Sequence, residues 1–176
     1  MNGGYQQVLH VTCKRYGPGR LPKANREDVG AGYAAATAAL GATVLYAGLM
    51  AIGDAVGVGV EGTVNAIFAG LAIPFVVPAA FVVGFVGWRF VSSPTPAVGA
   101  VAGGLGVIAT YLVTLVLVGI LLTTTAALSL SGAEPASAAA FSWGLIYFAF
   151  IFTWWVTIPI GCLAGFLYVR VVTRGE

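Results

Sequence analysis

The sequence predicts an all-α integral membrane protein built as a four-helix transmembrane bundle, and three observations carry that prediction. The chain is 59% apolar and only 8% charged, with a mean hydropathy of +0.96, whereas soluble domains carry about 25% charged residues. Four apolar stretches each exceed the length needed to cross a hydrocarbon core of about 30 Å at about 1.5 Å per helical residue. The last of them runs from Phe141 to Val169 without a charge and ends on Arg170. A core helix of a water-soluble domain has no use for that length.

Residues 1–28 form a basic tail. Lys14, Arg15, Arg20, Lys23 and Arg26 stand there against Glu27 and Asp28, and Gly17, Pro18, Gly19 and Pro22 oppose helix formation. Residues 29–176 form the membrane domain, in one unit, with no room for a separate soluble domain. The first span is expected over residues 29–52, with Asp28 as its N-cap. Because it follows a long basic tail and shows no convincing cleavage site, it is expected to stay in the protein as its own insertion signal.

The second span is expected over residues 63–88. Pro74 and Pro78 each remove a backbone donor and are expected to kink it. Its end carries Trp88 and Arg89, an interfacial aromatic beside a cation. The third span, residues 97–125, starts with Gly99, Gly103, Gly104 and Gly106, and the fourth, residues 139–170, contains Pro159 as a further kink.

Orientation follows from the cations. All eight Lys and Arg fall in the N-terminal tail, after the second span (Arg89), or at the C-terminal end (Arg170, Arg174), while the other two connections hold only Asp54, Glu61 and Glu134. Four spans in a cell membrane with both termini cytoplasmic satisfy the positive-inside rule at every connection. The same cations are expected to contact anionic headgroups of the lipid bilayer. The tail has no aromatic interleaving beyond Tyr16 and no nucleic-acid-binding pattern, so nucleic acid is not an expected partner. The Ala, Val and Gly richness with few lysines points to a prokaryotic source.

An internal repeat is visible at an offset of 81 residues. Phe75 to Ser93 aligns with Val156 to Arg174 through P-x5-G-F-[VL]-x-x-R-x-V-[ST], pairing Pro78 with Pro159, Gly84 with Gly165, Phe85 with Phe166 and Arg89 with Arg170. The first and third spans align through Val-Gly-Ala at Val29 and Val98. Each half would start and end on the same side, giving parallel 2+2 repeats related by an axis along the membrane normal.

Small-x3-small spacings occur at Gly53 and Gly57, Gly99 and Gly103, and Gly161 and Gly165, and such spacing lets helix backbones approach closely in lipid. Trp154 and Trp155 fall deep in the fourth span, beyond the reach of an interfacial belt. They are expected to serve as a packing or ligand platform, with Trp154 the better placed to donate its indole N–H to a freed carbonyl or a Thr hydroxyl. His10 and Cys13 are half a metal site, and no second His exists to complete it or to ligate a haem.

Apart from Arg170 at the very end of the fourth, the predicted spans contain no Asp, Glu, Lys, Arg or His. Proton-coupled carriers keep such a group in the membrane, and intramembrane hydrolases need an activated nucleophile with its base or metal. The expectation is therefore a non-enzymatic protein with no cofactor, an accessory or scaffold subunit of a membrane complex or a small homo-oligomer. Two other readings remain open: a small channel or facilitator lined by the kinked second and fourth helices, and a carrier of a hydrophobic ligand.

Overall fold

The structure, a computed structural model, describes residues 26–57, 62–91, 95–128 and 134–172. They form four α-helices: α1 (Glu27–Ala55), α2 (Gly62–Trp88), α3 (Pro96–Leu128) and α4 (Pro135–Val172). Each is long and apolar enough to cross a membrane. Helix is the physical outcome for such segments, because in hydrocarbon every backbone N–H and C=O must be satisfied within the segment itself.

The helix ends sit within a few residues of the expected boundaries, with one physical difference at the start. Asp28 is not the N-cap of α1. That position belongs to Arg26, whose side chain makes no capping bond, while Asp28 lies in the first turn and its Oδ1 accepts from the Val29 amide at 2.9 Å. At the other end of α1, Gly57 has φ of +73° and its amide donates to the Asp54 carbonyl at 3.0 Å. It stops the helix in the left-handed conformation that glycine adopts without a Cβ penalty. Gly57 therefore belongs to a helix terminus, and a Cβ there would meet nothing within 4 Å.

The helices follow one another around the bundle in chain order. α1 packs on α2 and α3 on α4 as two close hairpins, and these meet through the looser pairs α2 with α3 and α4 with α1. The core is made of small side chains: Ala31, Ala42, Ala79, Ala80, Val118, Val156 and Val169, with Tyr46 the one large member. The large apolar residues face outward, Phe68, Leu71, Phe148 and Phe152 among them. A bilayer reverses the soluble arrangement in this way, since lipid tails are as apolar as leucine and close helix contact depends on small residues.

Glycine sets the distance within each hairpin. A Cβ on Gly84 would come within 2.7 Å of the Ala31 carbonyl oxygen and of the Ala35 Cβ. In the second hairpin a Cβ on Gly99 would lie 2.6 Å from the Gly165 carbonyl oxygen, and one on Gly103 would run into the Gly161 carbonyl. All four of these α3 and α4 glycines thus stand at a backbone-to-backbone crossing.

The second hairpin is the longer. At about 1.5 Å per residue, α4 with 38 residues spans about 57 Å and α2 with 27 about 41 Å. Measured from the equivalent crossings at Gly84 and Gly165, α4 extends about 12 Å further than α2 at the end away from the arginines.

Candidate functional site

Three features of the bundle carry chemistry. The first is a clasp at the end that holds Arg26, Arg89 and Arg170, here termed the basic end. The Trp88 indole Nε1 donates to Glu27 Oε2 at 3.2 Å, and the Tyr168 hydroxyl donates to the Glu27 backbone carbonyl at 2.5 Å. The Trp88 and Tyr168 rings meet edge to face with centroids 4.9 Å apart. One residue of α1 is therefore held by both α2 and α4. Beside it, Asp28 Oδ2 accepts from Arg26 at 3.1 Å and from Arg89 at 3.3 Å.

The arginines repeat a local geometry. The Arg89 guanidinium lies 4.5 Å from the Phe85 ring centroid, and the Arg170 guanidinium lies 4.3 Å from that of Phe166. In each case the ring sits one turn before the cation, where an i to i+4 pair meets on a helix face. Arg89 adds a carboxylate partner on α1. Arg170 has no carboxylate partner among the described residues.

The second feature is a hydroxyl cluster deep in the bundle. Tyr111 on α3 points its hydroxyl between Thr153 and Thr157 on α4, in close contact with the first and 3.3 Å from the second. Its ring stands edge-on to Phe150 at 5.2 Å. The two threonines also donate to the carbonyls of Ala149 and Thr153, one turn back in their own helix. Thr110 and Thr114, one turn apart on α3, are buried.

The third feature is the outward face of α4. Phe141, Leu145, Phe148, Phe152 and Trp155 recur at alternating steps of four and three residues and are all exposed, from 37% at Leu145 to 64% at Phe141. That spacing lines one stripe of a helix. Tyr147 and Tyr168 stand 21 residues apart, about 31 Å along α4. An aromatic pair at that separation matches the two interfacial belts of a bilayer of about 30 Å.

The expected site residues distribute as follows. Gly99, Gly103, Gly161 and Gly165 come together at the α3 and α4 crossing. Pro74, Pro78 and Pro159 do not converge on the bundle interior: all three lie on exposed faces, inside helices that run through them without interruption. Trp154 and Trp155 are both about half exposed. The indole that donates is Trp155, to the Phe152 carbonyl at 2.7 Å, and not Trp154 as the sequence suggested, because Trp155 is the one that folds back over its own preceding turn. Lys14, Arg15, Arg20, Lys23 and Arg174 lie outside the described residues, as do His10, Cys13 and Glu61.

Two shallow grooves open on the outer surface. One, of about 520 Å³, lies between α1 and α2 and is lined by Tyr33, Thr37, Leu40, Pro78, Phe81 and Val82. The other, of about 480 Å³, lies between α3 and α4 where the second hairpin overhangs, and Thr123, Thr124 and Trp143 border it. Among the described residues no group of three His, Cys, Asp or Glu is placed to hold a metal.

Compared with known protein families, with characterised proteins and with solved structures, the chain matches none.

Proposed function

We propose that this protein works without catalysing a reaction, as an accessory or scaffold subunit of a membrane complex or as a small homo-oligomer in a cell membrane, with both termini cytoplasmic. The observation that supports this reading is the outward stripe of α4. Four large aromatic rings and a leucine at alternating four- and three-residue steps give a continuous ridge that the protein's own bundle leaves uncovered. Helices in lipid associate by surface complementarity, and a regular ridge of this kind suits the groove of a neighbouring transmembrane helix.

The orientation rests on the cations. Arg26, Arg89 and Arg170 share one end of the bundle, and Asp54 and Glu134 the other, the distribution that the positive-inside rule assigns to a cytoplasmic and an external face.

The two hairpins are proposed to be copies of one two-helix unit. Support comes from matched contacts: the cation over the ring at Arg89 and Phe85 and again at Arg170 and Phe166, and the glycine crossings at Gly84 and Gly165. Gly84 meets Ala31 and Ala35 where Gly165 meets Gly99 and Gly103. This sets the α1 and α3 register at 68 residues, one fewer than the Val-Gly-Ala alignment suggests. The 68-residue register also superposes buried Ala42 on Thr110 and buried Tyr46 on Thr114.

The facilitator reading loses its main support, since the prolines that suggested a path between α2 and α4 turn outward. A photoreactive amino acid at Phe152 tests the subunit reading directly. Irradiation of native membranes should give one discrete protein adduct of constant mass. Crosslinks to lipid alone would refute it.

A further inference from the structure

Two arginines at the basic end make the same contact on their own helices and differ in what they meet beyond it. Arg89 lies over Phe85 and donates to Asp28 Oδ2 at 3.3 Å, so its charge is matched within the first hairpin. Arg170 lies over Phe166 in the same way, is exposed, and makes no hydrogen bond or ion pair with any described residue. The reason lies in α3. In the 68-residue register Pro96 stands where α1 has Asp28, and the first turn of α3 holds no acid. A guanidinium with a ring against its face keeps its N–H edge free, and that edge suits two oxygens of one phosphate.

The surface below Arg170 fits a hydrocarbon chain. Leu163, Leu167 and Arg170 fall at steps of four and three on α4 and are all exposed, as are Val101 and Leu105, one turn apart on α3. In the first hairpin Tyr33 and Thr37 of α1 and Val82 of α2 border the groove of about 520 Å³. Val101, Leu105 and Leu163 are their counterparts at offsets of 68 and 81 residues. Arg170 stands two residues, about 3 Å, beyond Tyr168, the interfacial aromatic of this end, and so at the level of the headgroups. An open cation above an apolar track matches the head and tail of a lipid.

We propose that the second hairpin binds one anionic phospholipid of the leaflet at the basic end, with its phosphate on Arg170 and an acyl chain along Val101, Leu105, Leu163 and Leu167. The first hairpin has both a groove and an arginine, but Asp28 occupies that arginine. A zwitterionic lipid is the poorer occupant, because its own ammonium competes with the guanidinium for the phosphate. The site takes its comparison with Arg89 from the proposed repeat and is independent of the subunit reading, since it holds one lipid per chain in a monomer or an oligomer.

The full chain in a mild detergent is titrated with phosphatidylglycerol or phosphatidylcholine, and bound lipids are counted by native mass spectrometry. One phosphatidylglycerol per chain should bind about fivefold more tightly than phosphatidylcholine, the factor that one cation carries near a charged surface. R170Q breaks no bond to a described residue and should remove that preference. D28N frees Arg89 and should add a second phosphatidylglycerol per chain, a gain that misfolding does not mimic. Loss of the preference in R170Q with no second lipid in D28N would support the site and contradict the correspondence between the hairpins. Equal binding of the two lipids, or an unchanged preference in R170Q, would overturn the proposal. So would displacement of the lipid by inorganic phosphate, which would mean that the site holds an anion without using the tail.

Discussion

The Tyr168 hydroxyl donates to the backbone carbonyl of Glu27, 141 positions earlier in the chain. That bond ties the last turns of α4 to the first turn of α1 and joins the two hairpins at the basic end, where Trp88 adds an indole bond to the Glu27 side chain. Interhelical hydrogen bonds in membranes average about 0.6 kcal/mol. Tyr168→Phe keeps the ring contact with Trp88 and should lower the melting temperature by about 1–3 °C. Trp88→Phe combined with it should cost more, because both hydrogen bonds to Glu27 are then lost and only the Asp28 and Arg89 pair still ties α1 to α2 at that end. Thermal unfolding in a mild detergent, followed by near-ultraviolet circular dichroism, reads both.

The glycine crossing of α3 and α4 should be the least tolerant place in the chain. Gly103→Ala puts a Cβ into the Gly161 carbonyl, and Gly165→Ala puts one into that of Gly99. Neither backbone can yield without spreading the hairpin, and overpacking of this kind costs about 1–3 kcal/mol. Gly41→Ala and Gly70→Ala meet nothing within 4 Å. They should leave the melting temperature unchanged or raise it, since alanine is the better helix former by about 1 kcal/mol.

Thr153 and Thr157 are half-buried and face the Tyr111 hydroxyl, so neither should be open to bulk water. Cysteines at both positions should resist charged, membrane-impermeant thiol reagents, while a cysteine at Phe90, 79% exposed at the basic end, should react. Rapid labelling at both threonine positions would support the facilitator reading. Tyr111→Phe should destabilise the α3 and α4 pair, with the loss reduced when Thr153→Val accompanies it.

Much of this was legible in the sequence, and the pattern of what was not is physical. Helix number and boundaries follow from hydropathy alone, because lipid offers one solution for a long apolar segment. The close approach at Gly99, Gly103, Gly161 and Gly165 follows from spacing. Partner choice does not: Glu27 with Trp88 and Tyr168, and Asp28 with Arg89, join residues at least 61 positions apart, and neither acid could be told from a helix cap before the hairpins were closed. The direction of Pro74, Pro78 and Pro159 was equally hidden. In a helix that is apolar on every side, no stripe of polarity tells the inner face from the outer one. Small residues do so here, through Ala79, Ala80 and Gly84 on α2 and Val156, Gly161 and Gly165 on α4.

The proposal that this protein acts by assembling with other membrane helices is tested most directly by native mass spectrometry after release from its own membrane in a mild detergent. It predicts one constant co-purifying protein or one discrete homo-oligomer, lost when Phe148 and Phe152 on the outward stripe of α4 are replaced by alanine. A bare monomer, or a monomer carrying a stoichiometric small molecule, would contradict it.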